Sequence, residues 1–265
     1  MAILTGAFKY RGSFKSVRNY MTLHDTNTYA GEKGGANRNL ILNNAAFART
    51  RENMSEFAGC GVAVKAIRRG LLNLLPEQTD KHFTSRLMSI VKEVNRRDFE
   101  GTRGSRAILF SANRPALKVI VFDELQDMAG NVKDFLVSTH PVSRAEATLT
   151  VTALVIKPVY VPKGATHFRI QNHLSIISDF SYNEGNRRYE PLSLLNSKSA
   201  YAYSKYTLVK SSLTEVVKAA YPIETELDED CTVIQSVGIE FYVATTGGDV
   251  YLPLKGSSML VNDVF

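Results

Sequence analysis

The sequence predicts an α+β protein. Its basic N-terminal region is a β-hairpin plus an antiparallel two-helix unit, packed with a C-terminal antiparallel β-sandwich. Three observations predict this. Apolar residues recur at helical spacing in two adjacent stretches between residues 45 and 95. Near residue 106 the apolar period changes from 3.6 to 2. Beyond it, seven or more short alternating segments are separated by turn residues, the pattern of a sandwich. The expected domains are 1–106 and 107–265.

At 265 residues, with 44 % hydrophobic and 22 % charged residues, the chain is long and apolar enough to bury a core and excludes a disordered class. Residues 1–106 carry 18 Lys+Arg and 9 Asp+Glu, whereas the rest carries 14 and 17. A basic part joined to a mildly acidic one suits a polyanion partner, or a second copy of itself.

The first 35 residues alternate aromatic and basic side chains around Gly12-Ser13 and then around a Gly-rich turn, and are expected to form one or two hairpins. Few same-face positions are apolar, so these strands are expected at an edge completed by another chain. Asn43-Asn44 offers an N-cap for a helix from about Ala45 to Leu75, ended by Pro76. Its stripe is Phe47, Met54, Phe57, Gly61, Val64, Ile67, Leu71 and Leu74. A second helix, about Thr79 to Asn95, carries Phe83, Leu87, Ile90 and Val94. The short connection predicts antiparallel packing. Ala58, Gly59 and Gly61 form a notch for a close neighbour, since each helical Gly costs about 1 kcal/mol against Ala.

Residues 100–106, EGTRGSR, are the expected linker. Strands are expected at 147–156, 166–182, 199–210 and 231–245, all read as half-buried, with shorter ones at 107–111, 189–195, 250–254 and 259–265. Turns are expected at 157–165, 183–188, TTGGD (245–249) and LKGSS (254–258). Residues 212–222 fit a short helix or a strand.

No metal site or cofactor is expected. His167, His173 and Asp179 are six residues apart, about 20 Å each at roughly 3.3 Å per residue. His24, His82 and His140 lack partners at ligand spacing, and Cys60 and Cys231 make no disulfide framework. The GEKGGANR turn fits neither a phosphate loop nor a dinucleotide fingerprint. Asp123, Glu124 and Asp127 fit a solvated turn better than a catalytic cluster. No catalytic set, small-molecule substrate, secretory signal or membrane span is expected.

Two binding readings remain beside self-association. Nucleic acid would use Arg49, Arg51, Lys65, Arg68, Arg69, Arg96 and Arg97, although Glu52 and Glu56 can pair with such arginines. A carbohydrate- or surface-binding sandwich would stack its ligand on Tyr182, Tyr189, Tyr201 and Tyr203.

The stretches GEKGG (31–35), RTRENMSEF (49–57) and AVKAIRRGL (63–71) resemble an uncharacterised family associated with Bacteroidota and their phages. The motif match covers residues 31 to 71. The resemblance implies a structural or surface-assembly component and supplies no catalytic residue. The expectation is therefore a non-enzymatic protein that self-associates into a filament, shell or virion component. Its assembly interface is expected at Phe8, Tyr10, Phe14, Ala58, Gly59 and Gly61.

Overall fold

The computed structural model describes residues 2–3, 10–21, 26–71, 79–124, 132–222, 226–245 and 250–265. Phe8, His24, Leu74, Pro76, Asp127 and the tip of the expected TTGGD hairpin lie outside them. The chain divides into two compact units, Met1–Arg51 and Glu52–Phe265.

The first unit holds four short strands, β1 (Ala2–Ile3), β2 (Gly12–Phe14), β3 (Val17–Tyr20) and β4 (Tyr29–Glu32). They form an antiparallel sheet in the order β1-β4-β3-β2. Helix α1 (Arg38–Asn43) follows, its N-cap Asn37 accepting from the Leu40 N–H. Asn44 caps the next turn through the Ala46 N–H. This helix was not expected from the sequence, where residues 31–38 read as a turn and Asn43-Asn44 as the N-cap of the next helix. No apolar side chain is buried among the described residues of this unit; only Asn19 and Thr28 are.

Helix α2 (Ala48–Gly70) and α3 (Phe83–Arg96) are the expected pair. Glu56 meets Lys92 and the Gly61 position faces Met88, so contacts run backwards along α3 as α2 advances, which makes the pair antiparallel. The buried stripe of α2 keeps Val64, Ile67 and Leu71 of the expected one but departs from it in the first half of the helix. It runs through Glu56, Gly59, Cys60, Ala63, Val64, Ile67 and Gly70, while Met54 and Phe57 are exposed. Small residues win the inner face because the neighbours come close. A Cβ on Gly59 would lie 2.3 Å from the Tyr189 ring, and one on Gly70 would lie 1.9 Å from Ser175 Oγ.

After α3 the expected linker is a tied loop. Asp98 accepts from the Glu100, Gly101 and Ala107 N–H groups, and Glu56 accepts from Gly104 N–H at 2.9 Å. Ile108 and Phe110 beyond it share a hydrophobic core with α2 and α3, so the expected division at 106 falls inside one packed unit. The stretch 107–111 is not a strand; Ile108 makes a single bridge to Phe180 before a short α4 (Arg114–Leu117).

The remaining strands are β5 (Leu136–Thr139), β6 (Glu146–Leu154), β7 (His167–Ser178), β8 (Phe180–Asn183), β9 (Arg188–Pro191), β10 (Ser199–Tyr203), β11 (Thr207–Leu208), β12 (Leu213–Ala220), β13 (Cys231–Ala244) and β14 (Tyr251–Val264). One sheet runs β10-β7-β13-β14 with β11 also on β7; a second runs β12-β6-β5, and β8 pairs with β9. Residues 212–222 thus resolve as strand. All pairings are antiparallel. The expected LKGSS turn is absent, because β14 continues through it with a bulge. There Gly256, at φ +111°, lets Pro162 approach.

The two sheets pack face to face. Phe168, Ile170, Val237, Ile239 and Phe241 of the large sheet share a core with Leu149, Val151, Leu213 and Val217 of the small one. The opposite face of the large sheet packs on the helices through Ile177, Ile234, Met259 and Val264. The architecture is a sandwich with a helical layer added. This explains why β7 and β13 are buried on both faces rather than half-buried as expected.

Candidate functional site

The helix-side face of the large sheet is polar where an apolar one would be the cheaper choice. Along β7 this face presents Arg169, Gln171, His173, Ser175 and Ile177. The antiparallel register sets Glu240 beside Arg169 and Ser236 beside His173, with Tyr203 and Tyr201 of β10 opposite Gln171 and His173.

At one end these residues form a charged aromatic cluster. Arg169 Nε donates to Glu240 Oε2 at 2.7 Å, and the Tyr242 hydroxyl donates to the same oxygen at 2.5 Å. The guanidinium carbon lies 3.6 Å from the Tyr203 ring centroid, 5.3 Å from Tyr206 and 5.1 Å from Tyr242, cation–π distances on three sides. Arg169 Nη1 reaches the Tyr206 hydroxyl at 3.3 Å, and Gln171 Nε2 donates to the Tyr203 hydroxyl at 3.0 Å. Tyr206 stacks on Tyr251 at 3.9 Å, and Tyr201 meets Tyr203 edge-on at 5.6 Å. Burial alone would lower the Arg169 pKa, but Glu240 outweighs it and raises the value. Burial, reinforced by Glu240, raises the Tyr203 and Tyr242 hydroxyls.

Beside this cluster the polar groups lose their partners. Gln171 Oε1, both ring nitrogens of His173, Ser175 Oγ and Ser236 Oγ are buried without a hydrogen bond of normal geometry. Burial presses the His173 pKa down to about 4, and a contact with the Gly70 backbone offsets only part of that. Thr166 Oγ1 lies 2.9 Å from His167 Nδ1, whereas Asp179 accepts from Ser111 N–H and Oγ. The three residues, spaced too far apart in sequence to share a metal, thus have no common partner. Among the described residues, no group of three His, Cys, Asp or Glu converges as metal ligands do.

The expected nucleic-acid residues do not converge. Arg51 is spent inside the first unit, donating to the Ile41 and Asn44 carbonyls at 2.7 and 2.8 Å. Arg97 pairs with Glu93 one helical turn away and with Asn113. Lys65, Arg68 and Arg69 are exposed near the end of α2, whereas Arg96 and Arg97 lie by its Glu56 end, about 18 Å distant at 1.5 Å per residue. Arg49 is exposed as well. Glu52 and Glu56 are paired across the fold, with Arg103, Lys92 and Arg106, rather than along α2.

Of the expected assembly residues, Tyr10, Phe14 and Ala58 are exposed and Gly61 half-buried. Gly59 is a correction: its notch is filled by Tyr189 of the same chain. Tyr182 packs edge-on to Tyr189 at 5.3 Å, so that pair belongs to the core edge, while Tyr201 and Tyr203 join the Arg169 cluster. A groove of about 410 Å³ between α3 and α4 is lined by Ile90, Glu93, Arg97, Ala116 and Val119.

Sequence reading missed Arg169, Glu240, Tyr206, Tyr242 and Tyr251. Their signal was a Tyr-x-Tyr-x-x-Tyr run at 201–206, but Arg169 and Glu240 are 71 residues apart and only the strand register joins them. Compared with family models, curated proteins and solved structures, the chain matches none. No helix among the described residues is long and apolar enough to cross a membrane.

Proposed function

We propose that this chain is a non-enzymatic structural protein that self-associates into a larger assembly, using the unit Met1–Arg51 as its associating element. The supporting observation is a sheet without a core. Strands of two to four residues carry no buried apolar side chain among the described residues, and Tyr10, Phe14 and Val17 are open to solvent. Isolated sheets of that size are marginal in water, so burial against another surface offsets their ordering cost. Among the described residues strand β2 ends the sheet order, and its outer edge is the one offered to a neighbouring strand.

Charge narrows the partner surface. Residues 1–51 hold eight Lys+Arg and two Asp+Glu, whereas residues 52–265 hold 24 of each. Two N-terminal units repel one another, so the partner of each is the neutral second unit of a neighbouring copy. Light scattering on the full chain and on a chain lacking residues 1–51 tests this. Oligomers that collapse to monomers on deletion support it; a monomeric full chain, or an unchanged oligomer, refutes it.

A second reading draws on the same charge. Across β3 and β4, Arg18 lies 5.4 Å over the Tyr20 ring, which stacks on Tyr29 at 5.9 Å. A cationic aromatic sheet face suits single-stranded nucleic acid. Under this reading oligonucleotide affinity falls steeply with salt and is lost on deleting 1–51; absence of binding at low salt removes it.

A further inference from the structure

We propose that the tyrosine surface around Arg169 is a glycan-binding site. A neutral pyranose stacks on the exposed rings of Tyr201 and Tyr206, and the Arg169–Glu240 pair takes its hydroxyls. This goes beyond self-association and draws only on residues of the second unit.

The rings come first. Tyr201 and Tyr206 are 49 % and 36 % exposed, although each has an aromatic neighbour that fixes it: Tyr203 at 5.6 Å and Tyr251 at 3.9 Å. A held ring loses little freedom when a ligand covers it, which lowers the cost of binding. Its electron-rich face complements the C–H face of a sugar. These residues stand on strands and a tight connection at a sheet edge, so their geometry comes from the scaffold.

The polar groups supply the second half. Glu240 Oε2 is saturated by Arg169 and Tyr242, but Glu240 Oε1 and Arg169 Nη2 make no bond to any described residue. A carboxylate acceptor beside a guanidinium donor matches two neighbouring hydroxyls of a pyranose. The two charges cancel, so the site has no Coulombic preference for phosphate or sulfate, unlike the cationic first unit. Gln171 Oε1, fully buried beside Tyr203, lacks a donor. Stability alone does not account for the pair, because desolvating two ions roughly cancels their attraction.

The test uses the full chain on an array of neutral and anionic glycans, then titration with chitotetraose, cellotetraose and maltotetraose followed by saturation-transfer NMR. With no tryptophan and 12 tyrosines, intrinsic emission reports the tyrosines directly. The expected result is saturable binding of a neutral glycan. Tyr201→Ala and Tyr206→Ala should each weaken it about tenfold, equal to about 1.4 kcal/mol, with the folded circular-dichroism spectrum retained. Glu240→Gln should weaken it while leaving the rings stacked. Array silence overturns the proposal. So does binding that survives both tyrosine substitutions, or binding restricted to anionic glycans and abolished by salt.

Discussion

His173 should make the protein measurably acid-labile above the range where carboxylates titrate. The ring is fully buried on β7, neither nitrogen makes a hydrogen bond of normal geometry, and burial, offset only in part by the Gly70 backbone, holds its pKa at about 4 against an ordinary value of 6.5. The folded value lies below the unfolded one, so the unfolded chain takes the proton first. His173 therefore costs nothing above pH 6.5, and stability drains away as pH falls from 6.5 toward 4. A shift of that size corresponds to about 3 kcal/mol in full and about 2 kcal/mol by pH 5. Asp179 acts with the opposite sign, because burial raises its carboxyl despite the Ser111 hydrogen bonds. Subtracting a His173→Gln variant removes that contribution and isolates the histidine. Urea unfolding at pH 7, 6 and 5 on both proteins provides the measurement. Wild type should lose about 2 kcal/mol more than the variant between pH 7 and 5. Equal pH slopes, or a folded-state His173 ring signal titrating near 6.5, would refute the reasoning.

Gly59→Ala should destabilise by about 1–3 kcal/mol in thermal or urea unfolding, because the new methyl meets the Tyr189 ring at 2.3 Å. Glu56→Ala should cost about 3 kcal/mol, since Lys92 and the Gly104 N–H lose their partner. Burial pushes the Glu56 carboxyl up, but Gly104, Lys92 and Arg106 outweigh it and hold it below the usual range. Its support therefore fades only as pH falls through that lowered value, and the loss from Glu56→Ala should shrink at strongly acid pH. Cys60, with its thiol pushed up to about 11 by burial, and Cys231, raised likewise, should resist iodoacetamide until the chain unfolds. Phe14→Glu should shift the light-scattering mass toward monomer without changing the melting of the second unit.

Local pattern made much of the fold legible. Alternation located β6, β7, β10 and β13, and apolar spacing located α2 and α3, because strand and helix periods are properties of neighbouring residues. Burial depends on what lies opposite, and there the pattern misled. Met54 and Phe57 matched the stripe of α2 yet face solvent, since Tyr189 and Ser175 fit only against Gly59 and Gly70. LKGSS carried every mark of a turn but stays within β14 as a bulge, because the strand pairs with β13 on either side of it.

The sequence by itself determined an α+β chain with a helical pair before a β-rich part, and a charge concentrated toward its start. Only the tertiary structure decided that EGTRGSR is tied rather than free, because Asp98 and Glu56 bind its N–H groups. Only the strand register brought Arg169 to Glu240 and gathered five tyrosines around them. Such a site is a set of distances between remote residues, and no local period in a chain encodes it.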